Sequence, residues 1–354
     1  MLPTFVIGDA IGNNVIMLDK IMRNKGYETC IFYENASEEA SKISSHYSLI
    51  PKLDKNDIIL FHMAISSTLS YLFAEMNYHK IMIYHNITPP DFFYGYCFTH
   101  YKYCKKGLEE VRYLSNKVDY CLADSEFNKK DLEKMGYNCK IDVLPILLPF
   151  DDFKKEPSGK IINKFNDGTT NIISVGRINA TNKRWENIIK TFYFFQKYVN
   201  KNARLFLVGS YNDDDIYPKR LMSYVNELGL NNVIFTGHIP FDEILAYYNI
   251  ADIYLCMSEH EGFCVPLLEA MLFNKPVVAY SSTAIPYTLG EAGFLLEKND
   301  PLETALVIDR ILKDRILYDK IVEKQNERLS FFDTQRVSEL FIQYIEDFAR
   351  HNIS

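Results

Sequence analysis

The sequence lacks the features that mark membrane-spanning, metal-binding and disulfide-rich proteins. It contains no uninterrupted run of about 18 apolar residues, so a transmembrane helix is not expected. Its seven cysteines form no Cys-x-x-Cys pair and no metal-ligand spacing with the eight histidines, and their odd number is typical of reduced, buried thiols. Glycine and proline are few, at 15 and 13 residues among 354. These absences favour an ordinary globular protein of two domains.

The net charge and the N-terminal residues indicate which partners and which cellular location to expect. The net charge of −7 argues against nucleic acid as a partner. Residues 1–8 read as a strand that leads into a turn, and they do not resemble a signal peptide. We therefore expect a cytoplasmic protein, located at the inner face of the membrane if it binds lipid.

Short apolar runs alternate with amphipathic segments in the first half of the chain, which predicts an α/β domain. Strands are predicted at residues 3–7, 29–33, 57–61, 80–84, 120–123 and 140–144. Helices are predicted around residues 14–25, 67–76, 101–116 and 128–135. Ligands of such folds bind beyond the carboxyl ends of the strands.

A second α/β series follows a linker predicted at residues 148–170, where proline, aspartate and glycine cluster. Its strands are predicted at residues 171–175, 204–208, 232–236, 253–257, 276–280 and 293–295. Its helices are predicted at residues 185–198, 219–228, 242–249 and 266–273, with another starting at Asp300 and a last one at 334–349 capped by Asp333. Two similar halves predict a ligand cleft between two domains.

The stretch at residues 258–271 carries the clearest functional signal. It follows a buried strand, contains a glycine turn and enters a helix opened by Pro266, so its backbone N–H groups and helix dipole favour a bound phosphate. Glu261 and Glu269 cannot attract an anion, and we interpret them as acceptors for sugar hydroxyl groups. The alternative is a surface acid and a helix-favouring glutamate.

Two cations lie in the loop after the strand at residues 171–175. Arg177 and Lys183 would stabilise the charge that develops on a departing diphosphate, with Arg184 adjacent. The alternative is a pair of solvated surface charges.

Other strand ends carry weaker signals. His85 ends one buried strand and His62 ends another, although a lone histidine is more often structural. Gly8, Gly12 and Asn13 lie in a segment that follows the first strand and lacks a dinucleotide-binding fingerprint.

Two further stretches have open interpretations. Residues 94–106 interleave tyrosine, phenylalanine and lysine, which is typical of peripheral membrane contact but equally of a packed helix face. Asp213, Asp214 and Asp215 imitate an Asp-x-Asp metal clip, and we interpret them as a solvated acidic loop rather than a metal site.

Together these segments resemble the retaining glycosyltransferases of family 4, which have the GT-B fold. Residues 261–270 read Glu-Gly-Phe-x-x-Pro-x-Leu-Glu-Ala and are similar to the family's Glu-x7-Glu signature, with Cys264 where a second glycine is usual. Residues 174–183 resemble its Val-Gly-Arg…Lys motif and residues 85–89 its His-[Asn/Asp]-x-x-Pro segment. Residues 284–293 resemble its Ala-x-Pro-Glu-x-x-Gly-x-Ala-Gly loop, with Tyr287 in place of the usual acid.

The resemblance covers nearly the whole chain and implies an α/β fold of the GT-B type, with two Rossmann-like doubly wound domains facing each other across a cleft. Residues 1–160 would form the acceptor-side domain and residues 161–330 the donor-side domain, with residues 331–354 crossing back onto the first. It also implies a set of site residues: catalytic Arg177, Lys183, Glu261 and His85; donor-binding Glu269, Gly262, Phe263, Cys264, Val265, Gly176, His238, Ile239 and Gly12; and acceptor-side Gly8, Asn13 and His62.

The implied reaction moves a hexose-type sugar from a UDP- or GDP-linked donor to a carbohydrate or lipid-linked acceptor, with retention of configuration. It implies no cofactor and no metal, with surface polysaccharide or glycoconjugate synthesis as a plausible setting. A GT-B epimerase or phosphorylase, or a non-catalytic partner subunit, are the alternatives. A non-catalytic subunit would be expected to lose the charged donor residues. All four of them are present, namely Arg177, Lys183, Glu261 and Glu269.

Overall fold

A computed structural model describes residues 1–212 and 214–353, and the chain divides into two compact units. The first unit comprises Met1–Pro90, Thr99–Pro149 and the residues from Phe331 onward. The second comprises Asp91–Phe98 and Phe150–Ser330. Within the described residues, no helix is both long enough and apolar enough to cross a bilayer.

The strands and helices alternate along the chain. The strands are β1 (Leu2–Phe5), β2 (Phe32–Ala36), β3 (Ser45–His46), β4 (Ile58–Met63), β5 (His79–Tyr84), β6 (Tyr120–Ala123), β7 (Lys140–Val143), β8 (Thr170–Val175), β9 (Ala203–Val208), β10 (Val233–Phe235), β11 (Ile253–Cys256), β12 (Val277–Tyr280) and β13 (Phe294–Leu296). The helices are α1 (Ala10–Asn24), α2 (Glu38–Ser41), α3 (Leu69–Glu75), α4 (Phe98–Leu114), α5 (Glu126–Lys134), α6 (Gly159–Phe165), α7 (Trp185–Tyr198), α8 (Ile216–Glu227), α9 (Phe241–Ile250), α10 (Val265–Leu272), α11 (Ile285–Leu289), α12 (Pro301–Lys313), α13 (Arg315–Leu329) and α14 (Thr334–Asn352).

In the first unit, two parallel sheets adjoin one another. One has the order β1-β2-β3 and the other β4-β5-β6-β7, and His62 N donates to Met1 O at 2.9 Å where β1 lies beside β4. The chain therefore builds outward in one direction from β1 and in the opposite direction from β4. Such a reversal is the point where doubly wound sheets bind ligands.

The last helix belongs to the core of this first unit. Phe341, Ile345 and Phe348 of α14 join Leu18 of α1 and Ile83 of β5 in one apolar cluster. Asp333 caps the helix by accepting from Gln335 N and Arg336 N, which confirms the predicted start.

The second unit is built on one parallel sheet with the strand order β10-β9-β8-β11-β12-β13. Its core is dominated by the inward face of α7, on which Trp185, Phe192 and Phe195 are buried, and by the central strands. After β8 the chain adds strands on one side of the sheet, and from β11 it adds them on the other. The switch point therefore lies between β8 and β11.

Three expectations about the local structure are wrong. The predicted linker contains a short 3-10 helix (Phe150–Lys154) and then α6, because Ile161 and Phe165, spaced four apart, are both buried. The second strand begins at Phe32 rather than residue 29, because Thr29 is held against α1 by hydrogen bonds to Asp19 and from Arg23.

The third error concerns the glycine-containing segment after β1. Helix α1 starts at Ala10 with Asp9 as its cap, so Gly12 and Asn13 lie inside its first turns and not ahead of a helix that begins near residue 14. A Cβ atom on Gly12 would lie 1.9 Å from Val6 O. Glycine is therefore needed there to let the helix approach the preceding backbone.

Candidate functional site

The switch point of the second unit brings together the segments that follow β8 and β11. Gly176 and Arg177 come directly after β8, and a 3-10 turn (Thr181–Lys183) precedes α7. The turn at residues 258–264 follows β11 and leads into α10. The structure thus brings both parts of the predicted site to one edge of one sheet.

Lys183 and Glu261 form the central contact of this edge. Lys183 Nζ donates to Glu261 Oε1 at 2.7 Å, and the two side chains are only 18% and 13% exposed. Burial alone would lower the pKa of Lys183, but the Glu261 carboxylate and the neighbouring Cys264 and Cys256 sulfurs raise it above its ordinary value. The site therefore holds a permanent, partly dehydrated positive charge.

Gly176 creates the room for that lysine. Its φ of 152° lies in the region that favours glycine, and a Cβ there would meet Lys183 Cε at 2.5 Å. The Lys183 side chain thus crosses the end of β8 through space that a side chain at residue 176 would take.

Hydrogen bonds join the turn that carries Lys183 to the turn that carries Glu261. Glu259 N donates to Asn182 O at 2.7 Å, and Asn182 Nδ2 donates to His260 O at 3.1 Å. Glu261 N donates to Thr283 Oγ1 at 2.9 Å. The ion pair therefore rests on two segments whose backbones are held in register.

The start of α10 has the expected polarity but an unusual cap. Cys264 is the N-cap residue and adopts a left-handed conformation (φ 70°, ψ 64°), and Pro266 lies in the first turn. This is the conformation that a glycine would adopt without strain. Cys264 therefore reproduces the backbone of the usual glycine while adding a buried thiol, whose sulfur lies 4.0 Å from Cys256 Sγ.

Glu269 lies one turn farther along α10 and is paired with a buried tyrosine. Tyr248 OH donates to Glu269 Oε2 at 2.6 Å, and Tyr248 is fully buried. Burial raises the pKa of Glu269 above its ordinary value, although the Tyr248 hydrogen bond and Lys183 both oppose the shift.

The other predicted residues of the second unit lie around this centre. Gly262 is half-buried, and Phe263 is buried with its carbonyl oxygen accepting from Thr288 Oγ1 at 2.5 Å. Val265 begins α10, and His238 and Ile239 follow β10 with the His238 side chain exposed.

The two arginines near Lys183 differ in their surroundings. Arg177 is exposed to solvent directly after β8. Arg184 donates to Glu259 at 2.5 Å, and this hydrogen bond raises the pKa of Arg184. Arg184 therefore helps to fix the turn before Glu261.

In the first unit, the two predicted histidines lie in a buried polar chain. His62 Nδ1 is 2.9 Å from His85 Nε2, and His85 Nδ1 is 2.8 Å from Asp124 Oδ2. All three residues are at least nine-tenths buried. They follow or end β4, β5 and β6, three neighbouring parallel strands.

The predicted residues near β1 also lie in this unit. Gly8 is exposed, has a φ of 91° and donates its N–H to Asn13 Oδ1 at 2.9 Å. The structure thus places Gly8, Gly12 and Asn13 at the switch point between β1 and β4.

The aromatic stretch at residues 94–106 divides between two environments. Tyr96 packs edge-on against Tyr217 and accepts a hydrogen bond from Arg220 at 2.6 Å. Tyr94, Phe98 and Tyr103 are 72%, 67% and 50% exposed. Part of the stretch therefore packs inward, and membrane contact stays a prediction for the exposed part.

Of the acidic loop, Asp213 lies outside the described residues. Asp214 forms an exposed ion pair with Lys219 at 3.4 Å, and Asp215 directly precedes α8. Among residues 1–212 and 214–353, no group of three or more histidine, cysteine, aspartate or glutamate side chains could hold a metal ion.

Four polar residues at these sites were missed by the sequence-based prediction. Tyr248 and Thr283 bond to Glu269 and Glu261, Asp124 bonds to His85, and the buried Glu110 accepts from Ser66, Ser67 and Ser70 in the segment after β4. Only Asp124 had a recognisable signal, because it follows the strand at residues 120–123 directly. The other three act through contacts between elements distant in sequence.

Comparison with known proteins identifies the fold and finds a family match in the second half of the chain. Residues 157–328 match the family "Glycosyl transferases group 1". The serotype-specific mannosyltransferase WbdA of Escherichia coli is 26% identical over 137 residues, which are 37% of this chain and 16% of WbdA. An uncharacterized glycosyltransferase of Methanocaldococcus jannaschii is 30% identical over 207 residues, which are 57% of this chain and 51% of that protein.

Both matches cover less than two thirds of the relative's own length. Among solved structures, HepE of Anabaena in complex with UDP-glucose superposes with a TM-score of 0.74 at 17% identity, covering 98% of this chain and all of HepE. The α/β fold of the GT-B type expected from the sequence is confirmed, and residues 157–328 are similar to the group 1 glycosyltransferases.

Proposed function

We propose that this chain is a retaining glycosyltransferase of family 4. It would move a hexose from a UDP- or GDP-linked donor to a carbohydrate or lipid-linked acceptor, in the synthesis of a surface polysaccharide or glycoconjugate. The relatives support this proposal, because one is a mannosyltransferase and another was solved with UDP-glucose. The observation that carries it is the Lys183–Glu261 pair at the switch point of the second unit.

Lys183 and Arg177 are assigned to the leaving diphosphate. An ammonium group has three N–H donors, and Lys183 gives one to Glu261, which leaves two for phosphate oxygens. A buried, permanently charged donor stabilises negative charge most strongly where it develops, in the transition state. The positive end of the α10 dipole adds to the same effect.

Glu261 and Glu269 are assigned to hydroxyl groups of the donor sugar and the ribose. A carboxylate oxygen has two lone pairs, so each glutamate can keep its protein partner and still accept from a hydroxyl group. Gly176, Gly262, Phe263, Cys264 and Val265 would shape the same donor site, with His238 and Ile239 beside the base.

No side chain is proposed as a general base. The departing phosphate would take the proton of the acceptor hydroxyl on the face from which it leaves, which gives retention at the anomeric carbon. Arg177 and Lys183 make the diphosphate a better leaving group, so the reaction is proposed to need no metal ion.

The two halves of the chain are assigned different substrates. Residues 161–330 would hold the donor, and residues 1–160 the acceptor, through Gly8, Asn13 and His62. Gly12 is assigned to the donor, and His85 has a positioning role. The exposed Tyr94, Phe98 and Tyr103 are the proposed contact with a membrane if the acceptor is lipid-linked.

Thermal-shift measurements with UDP, GDP and their sugars, in the presence of EDTA, test the proposal first. We expect one nucleoside diphosphate to raise the melting temperature of the wild-type chain and of the control Lys324→Ala, whose ion pair with Glu291 is exposed. Lys183→Ala should not respond. Loss of the wild-type response in EDTA would contradict metal independence.

Product analysis by NMR then decides the reaction. Transfer to an added acceptor with the donor's anomeric configuration is the expected result. Inversion would overturn the retaining mechanism. An epimerised sugar or a sugar phosphate formed without acceptor would instead identify an epimerase or a phosphorylase.

A further inference from the structure

The buried histidine pair of the first unit has a definite hydrogen-bond polarity. Asp124 and His85 are each 1% exposed at the side chain, and their 2.8 Å contact joins a carboxylate oxygen to Nδ1 of the ring. A carboxylate can only accept, so His85 Nδ1 must carry the proton. In the neutral ring, His85 Nε2 is then an acceptor.

The next contact fixes the second ring. His85 Nε2 lies 2.9 Å from His62 Nδ1, and the two rings are nearly parallel, with an angle of 9° between them. When His85 is neutral, its Nε2 accepts and His62 Nδ1 therefore donates. Asp124 thus orients both rings in turn, and each neutral histidine carries its proton on Nδ1.

One nitrogen is left at the end of this chain. Both ring nitrogens of His85 are occupied, whereas His62 Nε2 has no hydrogen-bond partner within residues 1–212 and 214–353. His62 is only 5% exposed, and its burial and the neighbouring His85 hold its pKa well below the ordinary value. His62 Nε2 is therefore a neutral lone pair on a residue that is only 5% exposed.

His62 Nε2 lies at the edge of the sheet where α/β folds of this kind bind their ligands. His62 lies near the carboxyl end of β4, beside the switch point with β1, and His85 and Asp124 directly follow β5 and β6. The Ser66 and Ser70 hydroxyl groups, which follow β4, donate to the buried Glu110, and the Ser67 hydroxyl donates to Glu34. Those hydroxyl groups are therefore already engaged as donors.

We infer that His62 Nε2 accepts a hydrogen bond from a hydroxyl group of a sugar substrate, and that Asp124 and His85 are positioning residues that fix its tautomer. This deepens the proposed function and rests on it. A buried acceptor rejects a substrate that lacks the matching hydroxyl, because the lone pair is then left unpaired. His62 is accordingly a specificity-determining residue, and His85 acts through it.

The tautomers are testable without any substrate. Long-range ¹H–¹⁵N NMR on the full chain labelled with ¹⁵N-histidine, assigned with His62→Gln and His85→Gln, reports which ring nitrogen is protonated. We expect both residues to be protonated at Nδ1, which is the minor form in free histidine. Asp124→Asn should shift both towards the Nε2 form, whereas Asp142→Asn, which alters a partly exposed pair with Lys140, should not. A His62 ring protonated at Nε2 in the wild type would overturn the inference.

Steady-state kinetics test the contact with substrate. His62→Phe keeps the ring but removes the acceptor, so KM for one sugar should rise about 10-fold, as expected for one hydrogen bond. His62→Gln places Oε1 near the position of Nε2 and should restore part of the loss. Deoxy analogues of the donor and of the acceptor identify which sugar carries the hydroxyl, because the matching analogue should be indifferent to His62→Phe.

The two proposals fail in different ways. If nucleoside diphosphates did not stabilise the wild type, the proposed function would fail while the NMR result still decided the tautomers. If they stabilised His62→Phe as they do the wild type, but no sugar showed a changed KM, the contact with substrate would be wrong and the donor site would stand.

Discussion

The two polar clusters of this protein use opposite electrostatic arrangements at equivalent positions of their sheets. At the switch point of the second unit, a lysine and a glutamate pair directly and stay partly open, at 18% and 13% exposure. In the first unit, a carboxylate is 1% exposed behind His85, and His62 forms the outer end. The first arrangement suits a ligand that brings charge, and the second suits a neutral hydroxyl group.

The difference extends to the effect of pH on each cluster. Burial raises the pKa of Glu269 in the second unit, and it lowers the pKa of His62 in the first. Burial disfavours the charged form in both places. Lys183, which has a carboxylate at 2.7 Å, instead keeps its charge more firmly than it would in water.

Removal of the charged donor should give the largest effect. Lys183→Ala is expected to lower kcat of sugar transfer about 10²–10³-fold, because it removes a donor aimed at developing negative charge. Lys324→Ala should leave kcat unchanged. A comparable loss in both variants would show that the Lys183–Glu261 pair has no special place in the chemistry.

The carboxylate on α10 should have a smaller effect. Glu269→Gln keeps an oxygen for Tyr248 but removes the negative charge, so we expect KM for the donor to rise about 10-fold with little change in kcat. Glu291→Gln, which alters an exposed ion pair, is the matched control. An unchanged KM would remove Glu269 from the donor site.

Opposite pH trends should distinguish the two clusters in stability measurements. The folded chain binds the Glu269 proton more tightly than the unfolded chain does. This residue therefore lowers the stability of the fold as the pH rises above 4.5, the ordinary pKa of a glutamate. The folded chain binds the His62 proton less tightly, so stability is lost as pH falls below the ordinary value of 6.5. Melting temperatures of Glu269→Gln and His62→Gln, relative to wild type between about pH 4 and 8, should therefore diverge in opposite directions. Parallel curves would contradict the comparison.

The smallest effect is expected at Cys264. Cys264→Gly removes the left-handed strain and also the buried thiol, so the melting temperature should change little and nucleoside diphosphate binding should persist. Cys264→Val places a β-branched residue at φ 70° and should destabilise by about 2 kcal/mol. Thermal melts check both variants, and equal stability of the two would show that this backbone conformation is not retained in solution.

Much of the fold was readable from the sequence, because the long elements have strong periodicity. Helix α7 and strand β6 have the predicted bounds, and Asp300 and Asp333 cap α12 and α14 as predicted. Helix α6 was missed because Pro157 and Gly159 indicated a linker, whereas the burial of Ile161 and Phe165 decides the structure.

The candidate site was less readable, because sequence patterns show motifs but not their partners. The sequence predicted that Arg177, Lys183 and Glu261 lie in the segments that follow two strands. It did not predict that Lys183 and Glu261 pair, since 78 residues separate them. Asp124 was likewise overlooked, and its importance is visible only from its contact with His85.

A crystal structure of this chain with the nucleoside diphosphate that stabilises it most would test the central claim directly. The account predicts the β-phosphate within about 3.2 Å of Lys183 Nζ and of the Arg177 guanidinium. It also predicts the phosphate beside the first turn of α10 and the ribose hydroxyls at Glu269. A nucleotide bound elsewhere, with the Lys183–Glu261 pair undisturbed and remote from it, would contradict the account.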